Sequence, residues 1–323
     1  MKSRFAYLIK KVNQVEFSEY PFRHIEINDF INEDDFNEII SCDEINIPNC
    51  DSDNELFKEL FSQGFKMTPF PGAITDHNQY MRNRIKRQKT ISHSTTESAG
   101  VVLRLVDPKS ERLKELKEFL ESKEFNEAIA RKFSLELTSC STDGGIQKYL
   151  DEYEISPHPD LRKKAATYMV NINNSFNSEE KKYHTHYLKF KPERNYVSEY
   201  WKGNPLTERC WVPWDWCISV KQQVKNNSLV AFSPSFDTLH AVKASYNHLT
   251  GQRTQLYGNL WYKDDESSNF TRSESTLSWE EFNFQKPAEL KTASGLHKRI
   301  VAKIISKFKK DTELVDASRR DHY

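Results

Sequence analysis

Apolar and polar positions alternate in short runs through the middle of the chain and recur at helical spacing on either side. Tyr20-Pro-Phe-Arg-His-Ile-Glu-Ile alternates as a half-buried strand does, and the run from Asn28 to Phe36 supplies cap residues for a helix to about Ile40. Residues 42–54 are rich in Asp, Asn and Cys and read as a loop. Residues 66–98 carry few regular signals, while 101–106 read as a strand. Pro108 then opens one long amphipathic helix with Leu113, Leu116, Phe119, Leu120, Phe125, Ile129 and Phe133 at helical spacing.

From about 134 to 262 the pattern changes to short β-rich runs: Ser134–Thr138, Gln147–Tyr153, Ala165–Ile172, Tyr187–Phe190, Trp211–Val220, Ser228–Phe232, Leu239–Val242 and Arg253–Tyr262. Asp143-Gly144-Gly145, Asn226-Asn227 and Asn247–Gly251 read as turns between them. Several short strands so spaced predict a sandwich or barrel. A polar stretch near 264–277 precedes a helical tail at Gly295–Lys310, with Leu296, Ile300, Ile304 and Ile305 on one face. The expected architecture is a mixed α+β single domain over 1–323. It has helix and strand additions at 1–135, a β core at 136–263 and a C-terminal helical extension at 264–323.

Composition narrows the class. Lys and Arg number 47 and Asp and Glu number 47, so the net charge is zero, which argues against a dedicated nucleic-acid binder. A mean hydropathy of −0.78 describes a well-solvated surface, and 12% aromatic residues allow a core of large side chains. No apolar run approaches the ~18–20 residues of a membrane helix. The N-terminus lacks the apolar region of about 7–15 residues of a secretory signal. Five scattered cysteines without a CxxC predict reduced thiols, no zinc finger and a cytoplasmic location.

The chemistry concentrates at Ile155-Ser-Pro-His158-Pro-Asp160. On a strand, positions two apart face the same way, so both side chains are expected to point into one barrel mouth. Imidazole and carboxylate together suit a divalent iron that keeps open positions. His240, at the start of a β-run, offers a third ligand. Arg253, thirteen residues later, is expected on the strand paired with that of His240.

This order resembles the Fe(II)/2-oxoglutarate-dependent dioxygenases, and most of all the branch that includes the prolyl 4-hydroxylases. It runs His-x-Asp, about eighty residues, His, then Arg after a hairpin. Flanking runs are similar too: Ile146–Tyr149 before His158, Ala166–Asn173 after it, Val212-Pro213 and Asn226–Phe232 before His240, and loosely Tyr20–Phe30. The resemblance covers residues 140–262 well; 41–135 and 265–323 match nothing nameable.

The resemblance implies a double-stranded β-helix, or jelly roll, of eight core strands. It implies that His158, Asp160 and His240 bind Fe(II), leaving positions for 2-oxoglutarate and O2, and that Arg253 holds the distal carboxylate of 2-oxoglutarate. Tyr149 and Asn171 fall where the family borders the cosubstrate; the family more commonly has a tyrosine at the second. Thr167 and Met169 share the strand face of Asn171. The presence of Asp160 disfavours halogenation. It leaves hydroxylation, desaturation or oxidative ring closure of a small molecule such as an amino acid or natural-product precursor, with release of succinate and CO2 and with ascorbate as an accessory. A protein or peptide side-chain hydroxylase is the alternative, and intact ligands argue against a non-catalytic binding module.

Around this site, Arg82, Arg84 and Trp261 are the candidate substrate contacts. The basic cluster Arg82, Arg84, Lys86, Arg87 and Lys89 reads either as a solvated loop or as a reader of acidic substrates. Trp201, Trp211, Trp214 and Trp216 read as a lid or as sheet packing. His184-Thr-His186 reads as a hairpin near the cavity. Cys210 and Cys217 lack the companions of a nucleophile. A small-molecule partner is expected, with neither nucleic acid nor membrane; the oligomeric state stays open.

Overall fold

The computed structural model describes residues 3–70, 73–86, 95–161, 163–204 and 210–263. Among these are seven α-helices and eleven strands in two antiparallel sheets, a mixed α+β architecture. The helices are α1 (Tyr7–Gln14), α2 (Glu33–Ile40), α3 (Asp53–Ser62), α4 (His77–Lys86), α5 (Glu111–Glu121), α6 (Lys123–Lys132) and α7 (Tyr196–Gly203). The strands are β1 (Ile25–Ile27), β2 (Phe65–Met67), β3 (Val102–Leu105), β4 (Cys140–Tyr149), β5 (Glu154–His158), β6 (Lys164–Asn171), β7 (Thr185–Phe190), β8 (Cys217–Gln222), β9 (Leu229–Phe232), β10 (His240–Lys243) and β11 (Arg253–Tyr262).

The larger sheet has the order β1-β9-β6-β11-β4-β3-β2 and the smaller one β5-β10-β7-β8. From β4 onward the chain passes back and forth between the two. β11 is the spine of the larger sheet, paired with β4 from Arg253↔Tyr149 to Tyr262↔Cys140 and with β6 from Gln255↔Asn171.

Strand alternation gives the larger sheet two unlike faces. Outward, Leu103, Leu105, Ile146, Tyr168, Val170, Leu256 and Leu260 join α5 and α6 in one core, through Leu113, Leu116, Leu120, Phe125 and Ile129. Burying each such side chain contributes about 1.5–3 kcal/mol. Inward, Gln147, Tyr149, Arg253, Gln255, Asn259, Asn171 and Thr167 are buried although most are polar. Lys148 breaks this rule: it is buried outward, where Nζ donates to the Ile45 carbonyl at 2.9 Å and to Thr254 Oγ1 at 3.0 Å.

Several sequence expectations are corrected here. The long helix is two, because Ser122 is extended (φ −64°, ψ 154°) and its side chain caps α6 by accepting from the Phe125 amide. Ser134–Thr138 is not a strand: Ser134 has φ 58°, and Leu137–Ser139 forms a 3-10 turn. Asp143-Gly144-Gly145 lies inside β4 rather than in a turn. A Cβ at Gly145 would stand 3.3 Å from the Tyr257 ring, so glycine there makes room for an aromatic side chain on the neighbouring strand. Trp211–Val220 is strand only from Cys217. Residues 66–98, sparse in signal, carry β2 and α4. The helical tail at Gly295–Lys310, with Arg87 and Lys89, lies outside the described residues.

Candidate active site

His158 ends β5 and His240 begins β10, and the two face each other in register. β5 is the edge of the smaller sheet, so Pro157 leaves no sheet hydrogen bond unmade. The Pro157 carbonyl instead accepts from the Val212 amide at 2.9 Å. Thr238 Oγ1 donates to the Pro159 carbonyl at 3.0 Å, tying the His158 segment to the turn before His240. Asp160 lies beyond the end of β5, with φ 78°. Its carboxylate therefore meets the histidines through a left-handed backbone that Asp tolerates, and not through the strand alternation expected from the sequence.

One ligand atom from each of His158, Asp160 and His240 lies within 4.8 Å of the others, a grouping that could hold a metal ion. His158 Nδ1 is 2.8 Å from the Ser156 carbonyl and His240 Nδ1 is 2.9 Å from that of Thr238. A carbonyl only accepts, so each Nδ1 carries the proton and each Nε2 offers a lone pair. Those Nε2 atoms stand 3.7 Å from Asp160 Oδ1 and 3.7 Å from Oδ2, too far for hydrogen bonds. Oδ2 is buried and has no hydrogen-bond partner. Two lone pairs and a carboxylate thus converge with no proton between them, an arrangement that a cation completes.

The electrostatics agree. Burial alone would raise the Asp160 carboxyl, but its surroundings, the Lys164 ammonium first among them, hold the group far below the usual carboxylate range. Lys164 Nζ is 2.8 Å from Oδ1. Burial, and after it His158, push His240 down to about 3, so its ring is neutral and ready to coordinate.

Arg253 opens β11, and β11 pairs with β4 and β6, not with β10 as expected. The consecutive strands β10 and β11 belong to different sheets, which puts Arg253 across the interior from the histidine strands rather than beside them. Its side chain is 2% exposed. Nη2 donates to Thr185 Oγ1 at 2.8 Å and to Gln255 Oε1 at 2.9 Å, and the guanidinium carbon lies 4.5 Å from the Tyr149 ring centroid. Nη1 is buried without a partner, and no carboxylate of the described residues pairs with the guanidinium. A buried cation of this kind is costly unless an anion joins it.

Gln255 Nε2 donates to Asn171 Oδ1 at 2.7 Å, and Asn171 Nδ2 donates to the Gln223 and Lys225 carbonyls. Asn171 therefore reaches Arg253 only through Gln255. Thr167 donates to Asn259 Oδ1, and Met169 packs against the cluster of Phe22, Tyr187, Val230 and Phe232. Trp261 Nε1 donates to Asp143 Oδ1 at 2.6 Å, and its ring lies 5.2 Å from Lys164 Nζ. Arg82 is exposed on α4, and Arg84 falls on the same helix. Trp211 stacks on His158 (5.6 Å, 18°), while Trp201 packs with Phe190 in a separate core. His184 and His186 do not join the metal-ligand grouping.

Thr185, Gln255 and Lys164 were missed from sequence. Gln255 had a signal, being two residues from Arg253 on one strand and so on its face. Among the described residues no helix is long and apolar enough to cross a membrane.

No family model and no curated protein matches the sequence. Solved structures do match. A prolyl-4-hydroxylase of Pseudomonas putida is 8% identical, with a TM-score of 0.38 over 80% of this chain and 100% of that one. A prolyl hydroxylase of Trichoplax adhaerens, in complex with a hypoxia inducible factor oxygen degradation domain peptide fragment, is 10% identical, with a TM-score of 0.38 over 84% and 93%. HygX from Streptomyces hygroscopicus, with nickel, 2-oxoglutarate and hygromycin B bound, is 9% identical, with a TM-score of 0.28 over 66% and 88%. What the chain does has to be read from its own residues.

Proposed function

We propose that the chain is an Fe(II)- and 2-oxoglutarate-dependent oxygenase of a small molecule, its two sheets forming a double-stranded β-helix. The observation that carries this reading is the proton-free convergence of His158, Asp160 and His240, facing the same interior as the buried Arg253 with its free Nη1. The roll is supported by the eight strands from β4 to β11, which divide into the runs β4-β11-β6-β9 and β5-β10-β7-β8 of two facing sheets. Iron with 2-oxoglutarate and O2 supplies the oxidising power to attack an unactivated C–H bond.

The protein's share is placement. His158, Asp160 and His240 would hold the metal, with Lys164 steadying Asp160 Oδ1 while Oδ2 stays free of hydrogen bonds. Arg253, fixed by Thr185 and Gln255 through Nη2, would donate from its free Nη1 to the distal carboxylate of 2-oxoglutarate. Tyr149 forms the floor under that guanidinium.

The small-molecule reading is favoured over a peptide hydroxylase by the additions. Thr96 and Ala99 hydrogen-bond along the free edge of β5, beside the metal ligands, and Ile74 bonds to Gly100. This N-terminal segment covers ground that an extended peptide would need. The division into 1–135, 136–263 and 264–323 assigns such covering to the segments outside the roll.

The test is anaerobic addition of Fe(II) and 2-oxoglutarate. A visible charge-transfer band and a raised melting temperature are expected, followed on aeration by succinate release that a metabolite library stimulates. A protein giving neither band nor thermal shift refutes the oxygenase reading. Stimulation by proline-containing peptides alone would transfer it to the peptide class.

A further inference from the structure

The inner face of the larger sheet holds a second arginine. Arg104 of β3 is in register with Gln147 of β4, which is in register with Gln255 of β11, so Arg104 shares its face with Tyr149 and Arg253. Its guanidinium carbon lies 4.9 Å from the ring centroid of Tyr257 and 6.0 Å from that of Phe70. With the Gln147 amide oxygen turned toward Arg104, that oxygen accepts from Nη2 at 2.9 Å and from Nε at 3.2 Å, and the amide nitrogen donates to Tyr149 Oη at 2.6 Å. One side of the guanidinium is thus engaged, and its Nη1–Nη2 end is left over.

No carboxylate of the described residues pairs with Arg104. The two acids nearest this corner are committed elsewhere: Asp143 to Asn259 and Trp261, and Glu121 to Lys117. The phenol that Arg104 covers ends in a buried Oη with no hydrogen-bond partner. Gly145, opposite Tyr257, is what lets that phenol lie there, since a Cβ would stand 3.3 Å from Oη. A planar cationic edge and an unused O–H donor therefore sit together on the face that carries the cosubstrate pocket.

We infer that Arg104 and Tyr257 bind a carboxylate of the substrate, separate from the carboxylate that Arg253 holds, so that the substrate class is a small organic acid or amino acid. A carboxylate is planar and offers two oxygens to the Nη1–Nη2 edge and a further lone pair to the phenol. This inference rests on the oxygenase reading.

The probe is propionate carrying carbon-13 in its carboxyl group, titrated into full-length protein loaded with Mn(II) and saturated with 2-oxoglutarate, with carbon relaxation read out. Saturable binding that excess 2-oxoglutarate does not displace is expected in the wild type. It should weaken at least about tenfold in Arg104→Gln, the loss for one charge-assisted pair, and less in Tyr257→Phe. Melting curves confirm that both variants fold, and Arg104→Lys, which keeps the charge but not the planar edge, should fall between. Calorimetric affinity for 2-oxoglutarate should stay within about twofold in Arg104→Gln, because Arg253 is untouched. Absence of a second propionate site, or equal binding in Arg104→Gln, overturns the inference while the oxygenase reading stands. So does a matching loss of 2-oxoglutarate affinity in that variant, which would make Arg104 a prop for Gln147 and Tyr149. A wild type that binds no 2-oxoglutarate overturns both.

Discussion

Arg253→Met separates folding from function with opposite signs. The guanidinium is 2% exposed, and two donor contacts, to Thr185 and Gln255, use only Nη2. The Nη1 end is buried without a partner. Two charge-assisted hydrogen bonds to a carboxylate contribute about 3–6 kcal/mol, at roughly 1.5–3 kcal/mol each, so their removal should weaken 2-oxoglutarate binding about 10²–10⁴-fold. Ligand-free protein should not suffer in the same way, because methionine keeps an apolar stem and removes an uncompensated buried charge. In a thermal melt with Mn(II), 2-oxoglutarate at 100 times its dissociation constant stabilises the wild type by about 2.7 kcal/mol. That corresponds to a rise of roughly 4 °C for a chain of 323 residues. The variant should melt at or above the ligand-free wild type and show no rise at the same ligand concentration. A variant that keeps the rise, or that unfolds several degrees earlier without ligand, would refute the assignment of Arg253 as an anion receptor held ready by the fold.

The remaining predictions concern the metal, the buried lysine and one glycine. His158→Ala and Asp160→Asn should each lower Mn(II) affinity by at least about tenfold in a calorimetric titration, with far-ultraviolet circular dichroism unchanged; unaltered affinity would dissolve the proposed centre. Burial pushes Lys148 down to about 7 from 10.5, so the unfolded chain binds more protons between those values and stability should rise with pH across that window. At about 1.36 kcal/mol per unit the rise is roughly 4 kcal/mol; urea unfolding at pH 6.5, 8 and 9.5 should show it in the wild type and lose it in Lys148→Met, and a flat wild-type profile counts against it. Gly258→Ala would bring a Cβ within 2.1 Å of Tyr168, whose hydroxyl is held by the Leu120 carbonyl. It should destabilise by about 1–3 kcal/mol or more, with partial rescue by Tyr168→Leu, and a neutral result would contradict the packing described.

The grouping of His158, Asp160 and His240 was legible because its parts lie at short spacing or at a strand start, where sequence pattern speaks directly. Asp160 is the exception: its carboxylate arrives through a φ of 78°, and alternation rules do not reach past a strand end. The placement of Arg253 failed through the habit of pairing consecutive strands, since β10 and β11 are neighbours in sequence and members of different sheets. Ser122 was hidden because α5 and α6 bury their apolar stripes in the same core, so the periodicity runs through the break. Gly144-Gly145 carried a turn's composition for a packing reason, the Tyr257 ring. Arg104, Thr185 and Gln255 look like solvent-facing strand residues; only closing the two sheets over them makes them interior.

The alternation along β11 has a consequence for how such a protein can change. Positions 255, 257, 259 and 261 face the cavity, while 256, 258 and 260 face the helices, so successive residues share a backbone and few neighbours. Substitutions on the two sets should combine additively, since coupling needs shared partners. Selection, or a combinatorial library, can therefore vary positions 257, 259 and 261 with less cost to the helix-facing core than the even-numbered ones would exact, while Gln255 stays tied to Arg253 and Asn171. Specificity and foldedness are inherited on alternate letters of the same ten-residue word.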